Sequence, residues 1–350
     1  AGMGRSIVRL KDIADKTGFS VNTVSLALRD SPRIPEETRA TIRRTAEALN
    51  YLPNHIAKSL VNRETRTIGL VLTSITNPIL TLVAQAIELR LAGRGYSTLF
   101  ATSNGDHHEE KRVIEMLRSR QVDGMLIYPS SHRALDHIRR ARQAGQPVVL
   151  LVGDADAGVD VVGMDTRRGS RKAMRHLLES GHSRIGLIDG GGNPDKRDGY
   201  RQALAEAGIA PDDGLVAAPP THSVAGGYAA MAELMARGDG MTAVLAATDS
   251  LALGALRWTQ ENGRRVPDDM AIVGFDNIEF AEYAATPISS VDYAVEQVTE
   301  LAVERLIGLI GAEEDLPAPE VTLIEPELVV RASSGSPLPQ GRGDELKSCP

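Results

Sequence analysis

The sequence predicts an all-α helix-turn-helix head joined to an α/β body built as two doubly wound parallel-sheet lobes. Three observations lead there. Short amphipathic helical segments separated by tight turns fill the first fifty residues. From Thr67 onward, apolar β-rich runs alternate with amphipathic helical stretches, the pattern of parallel strands joined by crossover helices. Charge is split as well: residues 1–66 hold twelve Lys/Arg and seven Asp/Glu, net +5, which leaves 27 and 39 of the 39 and 46 for the remainder, net −12. A basic head on an acidic body points to a polyanion met by the head alone, although a merely solvated helical head would carry the same charge.

At 350 residues, 42% hydrophobic and 24% charged, the chain suits two or three globular domains. No run approaches the roughly 18 apolar residues of a spanning helix, and Ala1 to Leu10 lacks the apolar core of a signal peptide. A cytoplasmic protein with no membrane partner is therefore expected. The single cysteine, Cys349, offers neither a disulfide framework nor a Cys-based metal site.

In the head, Leu10, Ile13 and Ala14 recur at helical spacing until Gly18 stops the first helix. Ser20 is a good N-cap for a second helix, Val21 to Leu28, which turns Val24, Ala27 and Leu28 inward and leaves Val21, Asn22, Ser25 and Leu26 outside. Pro35-Glu36-Glu37 starts a third helix that runs to about Leu49. Residues 1–52 are assigned to this head and 53–66 to a hinge helix and linker, too short at about two turns to be stable alone.

The body spans 67–332. Strands are expected at Ile68 to Leu72, Ser97 to Ala101, Gly124 to Tyr128, Val148 to Val152, Val161 to Met164, Ile185 to Ile188, Ala243 to Ala246 and Ala271 to Phe275. Residues 153–160 read as a connector between two lobes. In open α/β sheets ligands bind beyond the carboxyl ends of the strands, so two such lobes enclose a cleft. Residues 333–350 lack periodicity and read as a disordered tail.

The runs Leu10-Lys-Asp-Ile-Ala-Asp-Lys-Thr-Gly-Phe-Ser-Val-Asn-Thr-Val-Ser25, Pro35-Glu-Glu-Thr-Arg39, Tyr51-Leu-Pro-Asn-His-Ile-Ala-Lys-Ser-Leu60 and Thr67-Ile-Gly-Leu-Val71 resemble the lactose-repressor (LacI/GalR) family of bacterial transcription regulators. Asn77-Pro78, Gly199-Tyr200, Asp249 and Val273-Gly-Phe-Asp276 agree, and the likeness covers about residues 8–334. It implies a body of periplasmic-binding-protein type, with lobe 1 near 67–160 and 293–323 and lobe 2 near 161–292 and 324–332. It also implies a homodimer, with tetramers left open, that represses transcription from near-palindromic double-stranded operator DNA.

Within the head the resemblance places Val21, Asn22 and Leu26 against the bases. Asn suits adenine and Val a thymine methyl, whereas Leu26 stands where many relatives carry arginine. Leu26 alternatively covers the head's own core. Ser20, Thr23, Ser25, Arg29 and Arg33 are expected to reach phosphate, and Arg43 and Arg44 to be solvated. In the hinge, Asn54, Ala57, Lys58 and Leu60 match the segment that pairs in the minor groove, Leu60 as the wedge that kinks the duplex and Ala57 as the point of close approach.

For the cleft the resemblance implies contacts from Asn77, Ile79, Arg197, His222, Thr248 and Asp276 to a small polar effector, sugars and their derivatives among the classes admitted. An Arg197–Asp276 pair also fits a plain salt bridge. No cofactor is expected. Gly190-Gly-Gly-Asn193 lacks the Gly-Lys-Ser/Thr ending of a phosphate loop, and His107-His108-Glu109-Glu110 reads as a solvated helix start rather than metal ligands. No Gly-x-Ser-x-Gly elbow, His-Glu-x-x-His motif or nucleophilic cysteine argues for catalysis. A solute-binding protein with no DNA role is the alternative, and the basic head counts against it.

Overall fold

The computed structural model describes residues 8–52, 64–191, 193–238, 240–312 and 315–335. The expected hinge residues Asn54, Ala57, Lys58 and Leu60 lie outside them, as does 336–350 of the expected tail. The chain divides into two compact units, Ala1–Thr65 and Arg66–Pro350.

The first unit contains α1 (Leu10–Thr17), α2 (Val21–Leu28) and α3 (Glu36–Ala48). Gly18 ends α1 at φ 77°, the left-handed conformation that glycine adopts without a Cβ clash. Ser20 caps α2 by accepting from the Thr23 amide at 3.1 Å. Ile13, Val24, Ala27 and Ile42 are fully buried where the three helices meet, flanked by Leu10, Leu28, Ile34, Leu49 and Tyr51.

The second unit holds two six-stranded sheets. The first sheet has the order β11 (Val321–Ile324), β5 (Asp160–Met164), β4 (Val148–Leu150), β3 (Gly124–Ile127), β1 (Thr67–Leu72), β2 (Ser97–Thr102). The second runs β12 (Leu328–Val329), β10 (Ser289–Asp292), β9 (Ala271–Asp276), β8 (Ala243–Ala246), β6 (Ile185–Ile188), β7 (Val216–Ala217). Among the described residues every strand pairing is parallel except β10 with β12. Crossover helices α4 (Pro78–Gly93), α5 (His107–Ser119), α6 (Asp136–Gln143), α7 (Thr166–Glu179), α8 (Pro194–Glu206), α9 (Val224–Ala236) and α10 (Asp249–Glu261) cover the faces. The short α11 (Glu279–Glu282) and the long α12 (Val295–Ile310) follow. Central strands β1, β3, β5, β6, β8 and β9 are buried nearly throughout, as parallel strands covered on both faces must be.

The chain passes between the sheets three times: after Met164 at the end of β5, after Asp292 at the end of β10, and between Ile324 of β11 and Leu328 of β12. The strands lie side by side, since Asp165 N donates to Ile324 O at 3.0 Å and Asp292 N to Glu327 O at 2.8 Å. Lys172 Nζ on α7 adds a bond to Pro326 O at 2.8 Å.

Three expectations are corrected. The lobe boundary at 160/161 falls inside lobe 1, because β5 pairs with β4 and β11 along its length. Segment 153–160 is therefore a loop within that lobe, and Asp160 at its end is fully buried between Arg142 (3.1 Å) and Arg305 (2.7 Å). The tail does not begin at 333: Ser333 is fully buried, donating to Ile272 O at 2.5 Å and accepting from Ser289 N at 2.8 Å. Strands β7, β10, β11 and β12 and helix α12 had no sequence expectation.

Close packing of α9 on α10 requires glycine. A Cβ at Gly254 would fall inside contact distance of the Val224 carbonyl and the Tyr228 amide, both backbone, whereas one at Gly308 in α12 meets nothing within 4 Å. Gly254→Ala should therefore destabilise by about 1–3 kcal/mol, the usual cost of overpacking. Gly308→Ala should stabilise by up to about 1 kcal/mol through helix propensity. Urea melts of both variants check the opposite signs.

Candidate functional site

On the head, α2 presents its N-terminal turn to solvent. Val21 is 45% exposed and Asn22 is also exposed. Ser20 and Thr23 are tied to each other, their hydroxyls 2.8 Å apart, so they fix the turn as well as offering polar atoms. Leu26 is half-buried and is absent from the apolar side chains that pack on the head core. Arg29 and Arg33 are exposed and make no ion pair among the described residues. Arg43, its side chain 41% exposed, pairs at the surface with the exposed carboxylates of Asp30 and Glu36.

In the body a buried ion pair lies at the carboxyl end of β9. The side chain of Lys196, on the first turn of α8, is 12% exposed. Its ammonium stands 3.9 Å from Asp276 Oδ1, donates to Ala247 O at 2.6 Å and lies 3.7 Å from the centre of the Phe275 ring. Asp276 closes β9 at φ 104°, and Asn277 follows at φ 55°. Two successive non-glycine residues with positive φ store backbone strain of the sort that gathers at ligand sites.

Below this pair Asp249 is fully buried; its carboxylate accepts from Ser290 Oγ at 2.6 Å and from Ile278 N at 2.9 Å. Burial pushes Asp276 up from the usual 3.8 to about 7, against the pull of Lys196. Burial, reinforced by the Asp276 charge, raises Asp249 to about 8. Lys196 is pushed down by the same desolvation, opposed by the carboxylates of Asp276, Asp249 and Asp189.

Lobe 1 faces this group with residues the sequence reading missed. Tyr128, just after β3, is held above its usual pKa by burial and by the Asp276 charge. His132, four residues on, is pushed down by burial; Asp195 and Asp154 pull it up, and Lys196 repels its cation. The ring Nδ1 of His132 is buried without a hydrogen-bond partner among the described residues. No spacing rule marks these two residues, since only the lobe-to-lobe approach brings them to Lys196.

The expected cleft contacts fare unevenly. Asp276 has Lys196 as its partner and not Arg197. Arg197 is 38% exposed and turned to Asp189, its Nε 3.5 Å from Oδ2 without hydrogen-bond geometry. Adjacent helix residues point about 100° apart, so only one of two neighbouring cations can face inward. Ile79 is likewise corrected: at 4% exposure it packs into the core. Asn77 and Thr248 spend their side-chain oxygens capping α4 and α10, accepting from Ile79 N at 3.3 Å and Leu251 N at 3.2 Å. His222 is exposed at the rim, bonded to the carbonyl of Gly190. Residues 107–110 are not a uniformly solvated helix start, because Glu110 is fully buried.

The raised carboxyls carry a pH dependence. A folded-state pKa of about 7 or 8 lies above the unfolded value near 3.8, so the native state holds protons that the unfolded chain has lost. Stability should accordingly fall as pH rises from about 4 to 8, with a slope of at most about 1.4 kcal/mol per pH unit for each group. Asp249→Asn, which keeps an acceptor for Ile278 N, should flatten the decline in denaturant melts taken across this window.

Comparison with known proteins agrees with both units. Residues 9–54 match the model for bacterial regulatory proteins of the lacI family, and residues 174–334 the periplasmic binding protein-like domain. The chain is 31% identical over 336 residues to the HTH-type transcriptional regulator GalR of Escherichia coli (strain K12), covering 94% of this chain and 96% of that protein. It is 33% identical over 341 residues to the HTH-type transcriptional regulator CelR of Thermobifida fusca, covering 93% and 97%. Among solved structures, a complex of the transcriptional regulator CelR with cellobiose is 31% identical with a TM-score of 0.69, covering 93% of this chain and 99% of that one. A lac repressor dimer bound to operator and the anti-inducer ONPF shares the fold at a TM-score of 0.83 and 24% identity, covering 95% and 100%. The chain belongs to the lacI family of bacterial regulatory proteins, and it is a DNA-binding transcriptional regulator.

Proposed function

We propose that this regulator binds a near-palindromic operator as a homodimer and that a small polyhydroxylated or acidic effector, held between the lobes, sets its operator affinity. The buried Lys196–Asp276 pair carries this reading. Two desolvated charges on a strained strand end are costly unless a polar ligand completes them. An ammonium and a carboxylate side by side suit vicinal hydroxyls, and His132 with Tyr128 would add contacts from lobe 1. That the CelR relative was solved with cellobiose supports a sugar, and the scarcity of aromatics, at 3%, favours hydrogen bonding over stacking.

The head reads DNA in this account through Val21, Asn22 and Leu26, with Ser20, Thr23, Ser25, Arg29 and Arg33 on phosphate, and Asn54, Ala57, Lys58 and Leu60 in the minor groove. Dimerisation is supported by large apolar side chains left exposed on lobe 1: Leu82 and Leu89 seven residues apart on α4, and Phe100 on the edge strand β2. Among the described residues no helix is long and apolar enough to cross a membrane. A solute-binding protein without a DNA role is not favoured, because the head matches the family's regulatory domain.

Binding of labelled genomic fragments, followed by anisotropy with and without a panel of sugars, tests the proposal. Lys196→Met should weaken effector binding by about 1.5–3 kcal/mol, the worth of a charge-assisted bond, while effector-free operator affinity holds. Arg197→Ala should change effector binding less. By linkage, operator must shift effector affinity by the factor that effector shifts operator affinity. Asn22→Ala should relax discrimination at one symmetric pair of base positions by about 1–3 kcal/mol in selections from randomised half-sites. Unchanged effector binding in Lys196→Met would remove the cleft pair from the site.

A further inference from the structure

Behind the cleft loop of lobe 1 lies a second cluster that the regulator reading does not use. His107 is the first residue of α5, and Glu110 stands one turn on, so both project from the same face. His137 is the second residue of α6. One ligand atom from each of the three lies within 4.8 Å of the others. Glu110 is fully buried and the His137 side chain is 6% exposed. The His107 and His137 rings meet edge to face, with centroids 4.5 Å apart and planes at 84°.

We propose that His107, Glu110 and His137 form a binding site for a divalent transition metal of the zinc class. Glu110 Oε1 is 2.7 Å from His137 Nε2, and its other oxygen accepts from the Ser130 amide. This would be an ordinary buried pair if nothing else were present. Yet the pair leaves the third residue unsatisfied: Nδ1 of His107 is buried with no hydrogen-bond partner among the described residues. Buried polar atoms are almost always satisfied, and a metal ion is the partner that two imidazoles and one carboxylate share. Glu110 meets no Lys or Arg among the described residues, so its buried charge has only histidine to oppose it.

The donor set selects the ion. Two nitrogens and one oxygen suit Zn²⁺ and its first-row neighbours, whereas Mg²⁺ and Ca²⁺ prefer oxygen alone. Metal–ligand distances of about 2.0–2.2 Å separate ligand atoms by roughly 3–3.5 Å. The ion would therefore replace the 2.7 Å hydrogen bond and draw in the half-buried His107, with solvent in a fourth position. The Ser130 amide already orients the carboxylate from outside, as hydrogen bonds to ligating carboxylates do at metal sites.

Position gives the site a consequence. Ser130 lies two residues before His132, which feels the charges of Asp195 and Lys196 in lobe 2, so a metal on Glu110 would steady the lobe 1 segment nearest the proposed effector site. Metal and effector would then be coupled in both directions.

The test uses the tag-free full-length protein, freed of metal with a chelator and titrated with Co²⁺, read by its visible d–d absorption, and with Zn²⁺ by calorimetry. One equivalent per chain should bind with a four-coordinate Co²⁺ spectrum, and Zn²⁺ should raise Tm. His107→Ala, whose buried Nδ1 gives up no hydrogen bond, should lower affinity at least about 100-fold and abolish the Tm shift. His137→Gln, which keeps an amide towards Glu110, should do the same, while His108→Ala should bind as wild type. Absence of a saturable equivalent in the wild type, or an equivalent that persists in His107→Ala and His137→Gln, would overturn the site. Neither readout involves DNA or effector, so failure here leaves the regulator reading untouched.

Discussion

The body depends on the three adjacent passages of chain between its sheets. Because they are laced by Asp165 N to Ile324 O and Asp292 N to Glu327 O, neither lobe can shift far without bending all three together. This bundle also orients the sheets so that the carboxyl ends of their strands face one another. A parallel sheet ends each strand in a loop that runs to a helix N-terminus, and those loops are where side chains and backbone amides are free to meet a ligand. Tyr293, at the second passage, reinforces the arrangement by donating from its hydroxyl to Leu151 O at 3.2 Å across to lobe 1.

The electrostatics of the cleft follow from that geometry. Asp276 and Asp249 end up buried at the end of β9 and the start of α10, too close for both to ionise cheaply, and one lysine is brought to them. A buried ion pair of this kind is weak evidence for stability, since desolvation offsets most of the Coulomb gain. It stands beside two residues of positive φ, where backbone strain is stored as well. Stability is supplied elsewhere, as at Asp160, where two arginines and the Glu320 amide satisfy one buried carboxylate and join β5 to α6 and α12.

The head works on another scale. Its core is four fully buried side chains with a few partly buried neighbours, so the capping of α2 by Ser20 and the left-handed Gly18 matter more than they would in a large domain. Those same two residues set the angle at which Val21 and Asn22 are offered to solvent.

What the sequence determined by itself is what local chemistry dictates. Gly18, Ser20 and Pro35 punctuate the head so clearly that all three helices are legible, and the buried strands β1, β3, β6, β8 and β9 announce themselves as apolar runs. The short edge strands do not: β12 has two residues and β11 four, too few for Leu328-Val329 or Val321-Thr-Leu-Ile324 to mark a strand by pattern alone. The connector at 153–160 was misplaced because a polar loop looks the same within a lobe as between lobes. Only the tertiary structure decided which of the neighbouring cations Lys196 and Arg197 faces Asp276, since one residue turns a helix by about 100° and sequence alone leaves the helix's rotation unspecified. The same is true of Tyr128 opposite Asp276, of His132 opposite Lys196 and of His137 against Glu110. These groups are 27 to 148 residues apart, and what joins them is packing between elements.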